Sequence, residues 1–307
     1  MLSILKMEGD HMDWLDRMNR AMDYIEENLL NEVDYEILAQ KAQCSNFHFQ
    51  KMFSFITDVS VSEYIRRRRL TLAAFDLQMS KIKIIDCALK YGYDSPVSFT
   101  RAFLNCHGIV PSRVRDKGVS LKAFPRMTFQ LTIKGEVEMN YRIESVNPFK
   151  VHGVDFRVKN TQEENFTSIP EFWDINYANG TIKRLEEIEL NNPVENLYKV
   201  NALMCYETLG EDEFPYMIGL VDFNGDSVVP NDLKSVEVKE YTWAIFRTED
   251  YRHNEMVNKI QALWTRIFPE WFPNSGYEHA DGPDMELYYK VNDEIGYSEV
   301  WIPVVKK

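Results

Sequence analysis

No stretch of this 307-residue chain stays apolar over the roughly 18 residues that a membrane-spanning helix needs. Cysteine is scarce. Cys44, Cys87, Cys106 and Cys205 stand apart, with no CxxC pair and no Cys/His cluster, so neither a disulfide framework nor a zinc site is indicated. The signatures of common enzymes are missing as well: there is no GxSxG, no HExxH, no GxG nucleotide loop and no P-loop. These absences leave no catalytic residue, metal or cofactor to name. The first residues, MLSILKMEGDHMDW, have too short an apolar part and acids too early for a secretory signal, so a cytoplasmic location is expected.

What is present divides the chain in two. The net charge of −13 is uneven: residues 11–118 carry 15 Lys and Arg against 14 Asp and Glu, while residues 119–307 carry 19 against 32. A nearly neutral first part with concentrated basic runs is compatible with nucleic acid, which the whole-chain charge hides.

Helical periodicity dominates the first part. Leu15, Met18, Met22, Ile25 and Leu29 line one side of a helix over 13–30, and Tyr35, Leu38, Ala39 and Ala42 line a second. A third helix, NFHFQKMFSFI, separates Phe49, Met52, Phe53 and Ile56 from Phe47, Gln50, Lys51 and Ser54. The segment 61–80 has two apolar stripes, one of Val61, Tyr64, Ile65, Leu72, Phe75 and Met79, the other of Leu70, Ala73, Ala74 and Leu77. A helix with two stripes is packed from both sides. Then IIDCALKYGYDSPVSFTRAF reads as helix, turn, helix. Gly92 closes the first helix, Ser95 or Asp94 caps the second, and Pro96 opens it. Phe99, Ala102 and Phe103 face inward; Val97, Ser98 and Arg101 face outward.

Two such pairs have the form that enters DNA major grooves, and Gln and Lys are side chains that pair with base edges. Arg66 and Arg67 are assigned to phosphate, while Arg68 is expected to pair with an acid. A solvated helix face is the alternative for the same polar positions and, from the residues alone, the favoured one for Gln50 and Lys51.

From Met127 the pattern alternates, giving a strand, a turn near Gly135 and a second strand to Val146. Strand–helix–strand–strand then occurs twice: FKVHGVDFRV, IPEFWDINYANGTIKRLEEI, LYKVNALMCYETL and FPYMIGLVDF are followed by EVKEYTWAIFRT, HNEMVNKIQALWTRIF, DMELYYKV and GYSEVWIPVV. The expected fold is an all-α double helix–turn–helix over 12–116, followed over 120–307 by a duplicated α+β domain with an antiparallel sheet. Five of the six tryptophans fall in the second part. In its last strand Tyr297, Glu299 and Trp301 share a face. A carboxylate there needs a partner, either a cross-strand Lys or Arg or a cationic ligand.

YIRRRRLTLAAFDL, IIDCALKYGYDSPVSFTRAF and HGIVPSRVR resemble the DNA-binding module of the AraC/XylS regulators. That resemblance implies base reading by Phe47, Gln50 and Lys51 on one helix and by Val97, Ser98 and Arg101 on another. IPEFW, FPYMIG, ALWTRIFPEWFPNSGYEHADGPDMELYY and SEVWIPV resemble the gyrase-inhibitor-like effector-binding domain. It implies a pocket for an apolar or cationic, amphipathic effector, with Glu299 as its acid and Trp173, Tyr216, Trp243 and Trp264 as its walls. The implied partners are promoter DNA, the effector and RNA polymerase, with no membrane. Hydrolysis of small molecules and capture of a protein partner are the rival roles for the second domain.

Overall fold

The computed structural model describes residues 14–57, 59–130, 138–159, 164–191, 193–207 and 213–307; the side chains of Phe47, Phe55, Lys159 and 164–166 lie outside the description. The turn expected near Gly135 falls outside it as well. Contacts divide the chain into two compact units. One takes the chain up to residue 43 together with 67–132, and the other takes 44–66 together with 133–307. The division does not follow the boundary near residue 118 that periodicity indicates.

The first unit holds α1 (Trp14–Glu27), α2 (Tyr35–Ala42), most of α4 (Val61–Met79), α5 (Ile84–Lys90) and α6 (Pro96–His107). The Asp34 side chain caps α2 by accepting from the Glu36 and Ile37 amides. Ser95 caps α6 by accepting from the Ser98 amide, Pro96 supplies the first helical position, and Gly108 ends the helix at φ 78°. One core joins Leu70, Ala73, Ala74 and Leu77 of α4 to Cys87 and Ala88 of α5 and to Phe99 and Phe103 of α6. The second stripe of α4 is therefore buried along its length. Of the first stripe, Val61, Tyr64 and Ile65 are buried, but Phe75 and Met79 are exposed. The strand expected from Met127 is not formed over its described part. Instead Phe129 packs edge-on against Trp14, and its amide and carbonyl are bonded by the Asn19 side chain.

The second unit contains α3 (Asn46–Thr57) and a ten-stranded sheet. Its strands are β1 (Asn140–Val146), β2 (Phe149–Lys159), β3 (Val200–Met204), β4 (Glu213–Asp222), β5 (Lys234–Val238), β6 (Tyr241–Arg247), β7 (Tyr251–Arg252), β8 (Tyr277–His279), β9 (Asp284–Lys290) and β10 (Ile295–Lys306). The order is β1-β6-β10-β9-β3-β4-β2-β5, with β7 and β8 added to β10, and every pairing is antiparallel. The central run β6-β10-β9-β3-β4-β2 is palindromic about β9/β3, which is the duplication expected of the sequence. Strand β5 and the short β7 and β8 are additions that no alternation announced.

Helix α7 (Glu164–Ala178) packs on β2, α8 (Thr181–Glu186) on β3, and α9 (Met256–Arg266) on β10. A π-helical turn, Ile267–Trp271, extends α9. The opposite face carries a solid core of Phe149, Leu203, Met217, Trp243, Ile245, Met285, Leu287 and Trp301. Phe149 on β2 and Trp243 on β6 approach to 6.3 Å although four strands lie between them, so the sheet curls around this core. Gly153 and Gly219 face each other across β2 and β4, where a Cβ at Gly153 would meet the Ile218 carbonyl. Only glycine lets the two backbones approach there.

Candidate functional site

Alternation along β9 puts Asp284, Glu286 and Tyr288 on one face of the sheet. Register adds Val300 and Ala202 opposite Glu286, and Tyr216 opposite Met204, to that same face. Helix α9 covers it, because Trp264 Nε1 donates to Glu286 Oε1 at 2.7 Å. Helix α7 covers it too, since Trp173 Nε1 donates to the Tyr216 hydroxyl at 2.9 Å. The Tyr288 hydroxyl donates to Glu286 Oε2 at 2.9 Å, and the Trp173 ring stands edge-on to Tyr288 at 6.0 Å. The result is a half-buried carboxylate in an aromatic box. Burial raises the Glu286 carboxyl above its ordinary value, against the lowering effect of the Trp264 and Tyr288 bonds. Among the described residues no Lys, Arg or His forms an ion pair with it.

Trp173, Tyr216 and Trp264, expected to wall a pocket, do come together here. Trp243 and Glu299 do not. Both lie on the other face, where Trp243 is fully buried in the solid core. Glu299 is 3% exposed, and its demand for a partner is met inside the protein. Arg142 on β1 donates to its two oxygens at 2.5 and 3.0 Å, and Trp301 Nε1 donates at 2.9 Å. The cross-strand ion pair is thus the arrangement at Glu299, and the carboxylate among aromatics that lacks such a pair is Glu286. The sequence carried a signal for it: DMELYYK places an Asp, a Glu and a Tyr on one face of an otherwise apolar strand.

Asp284 is also met from within the unit. Lys51 on α3 brings its Nζ to 2.6 Å from Asp284 Oδ2 and 4.3 Å from the centre of the Trp264 ring. The same Nζ lies 3.1 Å from Met204 Sδ. Burial lowers the Lys51 ammonium, but the Asp284 carboxylate outweighs it, and the net shift is upward. For Asp284 burial acts upward, but Lys51, His279 and His48 together act more strongly downward, so it stays ionised. The rings of His48 of α3 and His279 of β8 meet beside this pair at a tilt of 48°, and together with Asp284 they bring ligand atoms within 4.8 Å of one another. Among the described residues, these three are the group that could hold a metal ion. The Lys51 ammonium on the shared carboxylate opposes a divalent cation there.

The expected base-reading residues have different surroundings. On α6, Val97 is 79% exposed and Ser98 and Arg101 are exposed, while Phe99 and Phe103 are buried. On α3, Gln50 is 2% exposed and bonded to Asn46 Oδ1, and Lys51 is 3% exposed. The Phe47 side chain lies outside the described residues. Arg66 pairs with Glu63, and the Arg67 guanidinium lies over the Phe124 ring. Arg68 makes the expected acid pair, with two bonds to Glu26 at 2.9 and 2.7 Å.

A double helix–turn–helix with one exposed polar helix face, followed in the chain by an α+β domain with an acid among aromatics, points to a class: a DNA-binding regulator with an effector domain. A helix-turn-helix domain model matches residues 38–117, and the model of the integron-associated effector binding protein family, Cass2, matches residues 142–304. The chain belongs to the AraC-type transcription regulators and carries a C-terminal Cass2 effector-binding domain. The HTH-type transcriptional activator AarP of Providencia stuartii is 41% identical over 97 residues, 31% of this chain and 72% of that protein. The regulatory protein SoxS of Salmonella typhimurium is 33% identical over 96 residues, 31% of this chain and 90% of that one. Both relatives are regulators by name, and both match the N-terminal helical region. Among solved structures, SAV2435 bound to tetraphenylphosphonium aligns with a TM-score of 0.43 at 17% identity, over 54% of this chain and 94% of that one. An integron cassette protein of Vibrio cholerae aligns with a TM-score of 0.37 at 20% identity, over 54% and 95%. No helix of the described residues is long and apolar enough to cross a membrane.

Proposed function

We propose that this chain is a cytoplasmic, ligand-responsive regulator that binds promoter DNA through residues 12–116, works with RNA polymerase, and takes an apolar organic cation beside Glu286. The observation that carries the ligand class is a half-buried carboxylate, bonded only by neutral Trp264 and Tyr288 donors, inside walls of Trp and Tyr. The nearby Lys51 ammonium is engaged by Asp284, so an ionised Glu286 carboxylate stays costly until a further positive charge arrives. Aromatic faces add about 0.5–2 kcal/mol each to holding that charge. A strongly hydrated small cation gains less, because the walls offer it few oxygen ligands. On the DNA side, the exposed Val97, Ser98 and Arg101 of α6 support reading of base edges, with Arg101 the side chain suited to guanine.

The test is calorimetric titration of the full chain with tetraphenylphosphonium, a rigid aromatic cation. Glu286→Gln is expected to weaken binding at least about tenfold, the scale of one charge-assisted contact. Glu299→Gln should leave it within about twofold, since its charge is already satisfied by Arg142. Equal loss in both variants, or loss only in the second, would return the site to Glu299.

A further inference from the structure

Resting on the cation-binding reading of the Glu286 site, we propose that Lys51 is a built-in occupant of that site: a tethered cation that an effector must expel, releasing helix α3 for DNA. The ammonium of Lys51 sits where an organic cation would sit, 2.6 Å from the Asp284 carboxylate and over the face of Trp264, whose indole N–H holds Glu286. Both acids lie on one face of β9, two residues apart, so a single cation faces both. The lysine is 3% exposed and Asp284 is fully buried.

Lys51 does not stand alone. Gln50 is 2% exposed and Ser54 is buried, and the His48 ring lies on His279. The side of α3 that carries the expected base-reading side chains is therefore the side closed off from solvent. A lysine on Asp284 cannot at the same time donate to a guanine, so the seat on β9 and the seat on DNA exclude each other.

The energetics favour exchange. A buried ion pair contributes little net stability, because desolvation of both charges offsets their attraction. An aromatic cation that replaces Lys51 keeps the charge pairing and adds its own apolar burial, while Lys51 recovers hydration. Since the ligand binds only the vacated form, it shifts the population toward released α3, and DNA bound to α3 raises ligand affinity by the same factor.

Two measurements on the full chain test this. The first is backbone hydrogen exchange over α3 in the wild-type protein, with and without saturating tetraphenylphosphonium. The second is the affinity of the same cation for Lys51→Met. If the vacated form is about one tenth of the population, removing the tethered cation strengthens ligand binding about tenfold, and ligand accelerates α3 exchange by a similar factor. Binding of the cation with unchanged α3 protection, and equal or weaker affinity in Lys51→Met, would overturn the tethered-lysine role while leaving the Glu286 site standing. No binding to either protein would instead remove the cation site itself. The exchange experiment uses no variant, so an unstable Lys51→Met cannot blur the outcome.

Discussion

Helices α3 and α6 are both twelve residues long, both carry paired phenylalanines on one side, and both present short polar or cationic side chains on the other. They differ in what meets the polar side. On α6 it is water: Val97, Ser98 and Arg101 stand exposed above Phe99 and Phe103. On α3 it is protein: Gln50, Lys51 and Ser54 are buried, and the lysine is neutralised by Asp284. Two helices of similar amphipathicity can thus have different surroundings, because a polar face carries no mark of whether its partner is solvent, nucleic acid or an acid elsewhere in the chain.

The strongest way to break this contrast is to remove the acid. Asp284→Ala leaves the Lys51 charge buried without its partner, a penalty of about 3–5 kcal/mol. That exceeds the roughly 1.4 kcal/mol implied by a one-in-ten vacated population, so the seat should empty and α3 exchange should rise to its limit of about tenfold. Local exchange of the α3 amides reads this directly. A change below about 1 kcal/mol, the size of a surface pair, would show that the pair is solvated and that α3 is already loose.

A milder comparison uses DNA. Without effector, Arg101→Ala should weaken specific duplex binding by about 1–3 kcal/mol, because its side chain is already presented. Gln50→Ala should change that affinity little until tetraphenylphosphonium is added, and then cost a comparable amount. Anisotropy titrations of both variants with a selected duplex, with and without the cation, separate the helices. Equal losses without the cation would erase the difference between them.

The smallest effect is that of pH. Burial, followed by the His279 ring, lowers the His48 imidazole well below its ordinary 6.5; Lys51 acts the same way and Asp284 opposes it. The unfolded histidine therefore takes up its proton at a higher pH than the seated one. Stability from neutral His48 is fully present above about 6.5 and falls as pH drops toward the lowered value. Protection of α3 should decline over that window in wild type and stay flat in His48→Gln. A decline of equal size in both would assign it to another group.

Much of the fold was legible because its causes are local. Ser95 and Pro96 announce the start of α6, and the spacing of Phe99 and Phe103 its inner side. The two stripes of α4 and the repeated strand–helix–strand–strand pattern are likewise periodicities within single segments. Alternation correctly put Tyr297, Glu299 and Trp301 on one face of β10. It could not tell that face from the other, because both faces of this sheet are covered and apolar residues occur on each. The choice between Glu299 and Glu286 was hidden for the same reason. It is made by Arg142, which lies 157 residues before Glu299 in the chain and reaches it only through the pairing of β1, β6 and β10.

Short-range patterns in the amino-acid order thus determined the helices, the cap of α6, most of the long strands and the duplication, since each depends on neighbours a few residues away. Tertiary structure alone decided which acid is met by an arginine and which polar helix face is sheltered. Charges are settled by whatever partner lies within a few ångströms, and for Lys51 that partner is Asp284, 233 residues further along the chain.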